Sequence, residues 1–145
     1  MNWKQEAAEK LKLYEAKRKA LKNIPQEIKR MELDMQSIRS ATSDGSPSKG
    51  GGSGREDMYL SNIVCREELG RSLDQARIWV SNIDSALSVL DEEERLLLDR
   101  FYIHPEKQAA DRLAGDMHID VKTVYRRKDD ALRKFTVALY GRTEN

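Results

Sequence analysis

Cysteine is almost missing from this chain. Cys65 stands alone among 145 residues, so no internal disulfide can form, and export to an oxidising compartment gains no support; a reducing cytosol suits such a sequence. Histidine is nearly as scarce: His104 and His118 are too few and too far from Cys65 or paired carboxylates to build a zinc site, and neither metal nor cofactor is expected. No run of about eighteen apolar residues exists, and the opening MNWKQEAAEK has no apolar core, so neither a membrane span nor a signal peptide is predicted. A chain of 145 residues also lacks room for a large enzyme with a deep composite site. One or two small binding domains fit better, and no enzymatic activity is expected.

What is present is polar and helical in character. Hydrophobic residues make up 39% and charged residues 35%, the balance of a soluble helical protein with much polar surface. The net charge of +1 conceals a segregation of sign. Residues 1–41 carry ten Lys or Arg against six acids, residues 55–103 carry six Arg against eleven acids, and residues 104–142 carry nine basic residues against six acids. A basic contact face on an otherwise neutral protein leaves such a pattern, and so do solvated helix faces.

Asn2 to Ala41 is rich in Ala, Leu, Glu, Lys and Met, with one proline and no glycine, which predicts helix. Ala7, Tyr14, Leu21, Ile28 and Met35 recur every seven residues, while Trp3, Ile24, Met31 and Ile38 fill the complementary seam, interrupted by Lys10 and Lys17. Pro25 predicts either a kink or a restart at that point. Thr42 to Gly54 reads TSDGSPSKGGGSG, a loop or linker with nothing apolar to bury. Its Lys49 precedes the glycines and no strand flanks it, unlike a Walker-type phosphate cradle. Helix returns from Glu56 to Leu90, where Leu69, Leu73, Ala76, Val80, Ile83, Leu87 and Leu90 alternate three-four spacing. The simplest arrangement folds this stripe back antiparallel on the first; parallel homodimerisation through either stripe competes with it. Trp3 and Trp79 read as packing residues beside these stripes.

After Leu90, the acids of Asp91-Glu92-Glu93-Glu94 look like a helix start rather than catalytic carboxylates. Asp91 can cap, Glu94 can close a capping box, and three acids suit the first turn of a helix. That helix offers Leu96, Leu97, Phe101 and Tyr102 and stops near His104-Pro105. A second short helix is expected from about Glu106 to Gly115, with Ala109, Ala110 and Leu113 inward; Gly115 to His118 reads as a turn or one extra helical turn. Asp120 then caps a third helix running to about Tyr140, with Gly141 as its stop.

The series Leu90…Glu94-Arg95…Leu98…Phe101-Tyr102, then Ala110…Leu113…Ile119…Val124-Tyr125-Arg126-Arg127, then Ala131-Leu132…Phe135 resembles region 4 of bacterial sigma factors. It is similar more closely to small phage-encoded regulators that end in a sigma-like helix-turn-helix. The likeness covers about residues 90–140. Five residues separate Leu113 from Ile119 where the usual motif has about one, so a longer turn is expected here. The resemblance implies promoter contact by a recognition helix over Asp120 to Phe135, together with RNA polymerase. No counterpart of the strand-melting region 2 is visible.

Projecting the third helix at about 100° per residue puts Val121, Val124, Lys128, Ala131, Leu132 and Phe135 on the core side. Lys122, Thr123, Arg126, Arg127, Arg133 and Lys134 fall outward. Lys122 and Arg126 are the candidates for base edges, Thr123 and Arg127 for phosphates, and Tyr125 for stacking on a sugar or base, although an edge-of-core tyrosine fits it as well. Asp129 and Asp130 would repel phosphate, so contact should fade beyond the second turn. Lys107 and Gln108 could hold the backbone at the start of the preceding helix.

The expected fold class is all-α: a helical hairpin or coiled coil over 1–90 with a Gly/Ser-rich connection at 42–54, then a three-helix helix-turn-helix module over 91–145. The expected function is sequence-specific double-stranded DNA binding in phage or prophage transcription regulation. The alternatives are a protein-interaction module, engaging a host or phage protein, that does not bind DNA itself, and a DNA-binding packaging subunit.

Overall fold

The computed structural model describes residues 1–42 and 52–143, and it is all-helical. Helix α1 spans Trp3–Thr42, α2 Gly52–Leu87, α3 Glu92–Leu98, α4 Ala109–Met117 and α5 Val121–Tyr140; α3 runs on into a π-helical turn, Asp99–Ile103. Two long helices thus precede a three-helix module, as the periodicity predicts. Pro25 neither ends nor restarts α1, which continues through it. Most of the connection expected at 42–54 lies outside the described residues, but α1 includes Thr42 and α2 starts at Gly52, so helix encroaches on it from both sides. Among the described residues no helix is long and apolar enough to cross a membrane.

The chain forms two compact units: Met1–Lys17 together with Ile78–Asn145, and Arg18–Arg77. The division falls inside the two long helices, whereas residue 90/91 marks the gap between α2 and α3.

In the first unit the opening turns of α1 lie antiparallel to the end of α2. The Tyr14 hydroxyl donates to the Asp84 carboxylate, and Lys17 reaches over the Trp79 ring at 5.8 Å. Ala7, Leu11 and Tyr14 from α1 are buried, as are Val80, Ile83 and Ala86 from α2. Trp3 packs on Tyr140 of α5 with ring centroids 4.9 Å apart, and Lys10 covers the same Tyr140 ring, so both tryptophans act in packing. Phe135, Leu97, Leu98, Leu113 and Val124 are fully enclosed, each contributing about 1.5–3 kcal/mol of transfer free energy.

The second unit has a thinner core. Leu21, Ile24, Ile28, Met31, Met35 and Ile38 keep their three-four spacing, yet all are only half-buried. A polar layer crosses its seam: Asn62 donates to the Met31 carbonyl at 2.9 Å, and Arg66 donates to the Asn62 side chain at 2.8 Å.

Candidate nucleic-acid interface

The C-terminal module is built from local signals that the chain states plainly. Asp91 accepts from the Glu94 N–H at 2.8 Å, and Glu94 returns a bond to the Asp91 N–H at 3.2 Å, completing the expected capping box. The bond from the Glu94 N–H, the largest influence, holds the Asp91 carboxyl below its ordinary value. Beyond Leu98 the ladder widens to π-helical, and the His104 N–H closes it on the Asp99 carbonyl at 2.7 Å. The His104 ring meets the Asp99 carboxylate at 2.7 Å and Glu15 of α1 at 3.5 Å.

Helix α4 starts at Ala109 rather than Glu106, because Gln108 turns left-handed (φ 57°) and its carbonyl accepts the first helical bond, from the Arg112 N–H. It runs to Met117, so of the two readings of Gly115 to His118 the extra helical turn is the one present, in place of the longer turn that the resemblance implies. His118 stops it at φ 56°, and the N–H groups of His118 and Ile119 both reach the Ala114 carbonyl. Only 118–120 separate α4 from α5, the three-residue length typical of a helix-turn-helix. Ala110, Leu113 and Ala114 of α4 pack with Leu97 and Val124, and Phe101, Met117 and Ile119 close the edges of this cluster.

Asp120 caps α5 by accepting from the Thr123 N–H at 2.7 Å. The Thr123 hydroxyl, and then that N–H and the nearby Arg126 charge, lower its carboxyl below the ordinary value. Val124, Ala131, Leu132 and Phe135 are buried as projected. Val121 is not: at 36% exposure it lies at the rim, since the first residue of α5 has only the short turn to cover it. Thr136, which the apolar pattern passes over, is fully buried because its hydroxyl bonds the Leu132 carbonyl at 2.6 Å.

The candidate contact residues separate into three groups. Lys107, Gln108, Lys122 and Arg126 are exposed, and among the described residues none makes a side-chain hydrogen bond or close ion pair; the Arg126 charge acts at longer range on the Asp120 carboxyl. Lys122 and Arg126 lie one turn apart on the outer face of α5, about 6 Å along its axis. Thr123 and Arg127 are engaged within the module. The Thr123 N–H is bonded to the Asp120 carboxylate, and Arg127 pairs with Glu93 of α3 at 2.6 Å. Lys134 pairs likewise with Glu94 at 3.1 Å, so the first turn of α3 neutralises one flank of α5.

Tyr125 makes the third group. It is 48% exposed, yet its ring meets Phe101 at 5.8 Å. The Lys128 ammonium lies 5.3, 5.8 and 5.6 Å from the ring centres of Phe101, Tyr102 and Tyr125. Burial pushes the Lys128 ammonium down, but its hydrogen bonds with Asp129 and Tyr102 outweigh that and leave it above its ordinary value. Sequence projection places the Lys128 stem at the core but gives no sign of this aromatic enclosure, because Phe101 and Tyr102 come from a π-helical turn whose phase a regular helix does not predict.

Comparison with protein-family models, with curated proteins and with solved structures finds no match to this chain.

Proposed function

We propose that the C-terminal module binds double-stranded DNA sequence-specifically as a transcription regulator of the phage-encoded, sigma-like kind, with the N-terminal end of α5 in the major groove. The observation that carries this reading is the pair Lys122 and Arg126: exposed, unengaged by close partners and one turn apart, directly after a three-residue turn. A recognition helix reads base edges from that end, and Lys or Arg can donate two bonds to a guanine. Lys107 and the uncapped start of α4 supply a phosphate anchor. A promoter element, contacted together with RNA polymerase, is the target that the likeness to region 4 implies.

A second reading, a protein-interaction module without DNA affinity, draws on the pairing of Arg127 and Lys134 with Glu93 and Glu94, which lowers the positive charge on offer. Anisotropy of a labelled duplex separates the two. On the DNA reading Arg126→Ala weakens binding by about 1–3 kcal/mol and relaxes preference at one base position, while Lys107→Ala weakens all sequences alike. Absence of duplex binding at low salt leaves the second reading standing.

A further inference from the structure

The contact end of α5 carries two rows of side chains. Lys122 and Arg126 form the cationic one, and Val121 and Tyr125 each lie one residue earlier, so a rotation of about 100° per residue sets them along one flank as a second, apolar row. Both are exposed, Tyr125 the more so. The opposite flank differs in kind, because there Arg127 and Lys134 are neutralised by Glu93 and Glu94. Tyr125 is also held in place: Phe101 meets its ring at 5.8 Å, and the Lys128 ammonium lies 5.6 Å from its centre. Of the three rings around Lys128 it is the one left exposed, since Phe101 and Tyr102 are half-buried. A ring fixed in this way gives up little rotamer freedom when its open side is covered.

We propose that the row of Val121 and Tyr125 receives the C5-methyl groups of thymine, so that Tyr125 is a specificity-determining residue and the target joins thymine to guanine. The inference rests on the DNA-binding reading and names the bases that reading leaves open. The thymine methyl is the apolar group among the donors and acceptors of the major-groove base edges. An apolar row beside two cations finds its complement there, whereas a phosphate offers it none. Spacing agrees as well. Val121 and Tyr125 stand one turn apart, about 6 Å along the axis, close to two base steps of about 3.4 Å each.

The test uses a labelled duplex carrying the site that the full chain enriches from a random pool of duplex DNA. Each thymine is replaced in turn by deoxyuridine, which removes the methyl group and keeps the base pair. Wild type should lose about fourfold in affinity at the thymine that Tyr125 meets, the fold-change that burial of one methyl group supplies. Tyr125→Ala should bind more weakly and be indifferent to uracil at that position, with helix content by circular dichroism as control, while Tyr125→Phe keeps the ring and should keep the sensitivity. Val121→Ala should abolish the sensitivity at a second thymine about two base steps away. The wild-type scan depends on no variant folding. An enriched site made only of G·C pairs, or wild-type affinity unchanged by every uracil, overturns the proposal and leaves DNA binding in place. So does a loss in Tyr125→Phe equal to that in Tyr125→Ala, which would mark a hydroxyl contact with phosphate. No binding of any duplex at low salt removes the DNA-binding reading itself, and the thymine contact with it.

Discussion

If the C-terminal module binds DNA as proposed, Glu93→Gln should tighten that binding. Arg127 lies on the flank of α5, but its guanidinium is held by Glu93 at 2.6 Å, with both side chains about half exposed, so it offers little net charge to a phosphate. Removing the Glu93 charge frees Arg127 for one more phosphate contact, which should steepen the fall of log affinity with log salt by about 0.9. Between 1 M and 0.1 M salt the difference amounts to about 0.9 of a log unit, so affinity near 0.1 M should rise roughly eightfold, or about 1.2 kcal/mol. The cost to folding is small. An exposed pair contributes about 1 kcal/mol at most, and the loss of one acid from the first turn of α3 adds a few tenths. Anisotropy titrations of wild type and variant at several salt concentrations, with a thermal melt as control, measure both effects. Parallel salt plots of equal affinity would refute the claim that Glu93 restrains Arg127, and no binding by either protein at low salt would refute DNA binding itself.

Three other outcomes follow from the same module. Asp91 and Asp120 have carboxyls held below their ordinary 3.8, so the stability they supply is complete above that value and lost as pH falls through the lower folded-state values. Melting temperature should therefore drop between pH 5 and pH 2 less steeply in Asp91→Asn/Asp120→Asn than in wild type, and equal slopes would contradict this. His118 occupies left-handed space at φ 56°, so His118→Gly should stabilise the protein by up to about 1 kcal/mol in urea unfolding; a loss of stability would mean that its ring makes a needed contact. Lys128→Met keeps the stem but removes the charge among three rings, and should cost about 1–2 kcal/mol, while a variant as stable as wild type would show that packing alone sustains the cluster.

The helical elements and their inward faces were legible because they depend on neighbours three and four residues away. Val124, Ala131, Leu132 and Phe135 occupy the buried side that a regular helix assigns them, and Asp91 with Glu94 closes the capping box that their spacing announces. The same rule was weaker at element ends, where few neighbours act. Helix α4 starts at Ala109 rather than about Glu106, after the left-handed Gln108, and Gly115 to His118, which the sequence left open between a turn and an extra helical turn, is helical to Met117 because the left-handed residue that ends it is His118. Leu11 carries more of the core than the heptad pattern predicts: it is fully buried, on a stretch of α1 that meets α5 through Trp3 and Tyr140 and α2 through Tyr14 and Asp84.

Sequence alone determined that this protein is all-helical, that its two long stripes need partners, and that α5 has one apolar side and one basic side. Each of these follows from short-range periodicity and capping. Only the tertiary structure decided which charges on α5 remain available. Glu93 and Glu94 lie 34 and 40 residues before Arg127 and Lys134, and no spacing rule joins them; the packing of α3 against α5 makes them neighbours. That packing engages Arg127 and Lys134, draws Lys128 among three aromatic rings, and leaves Lys122 and Arg126 facing outward. An ion pair depends on distance in space, which the order of residues along a chain does not contain.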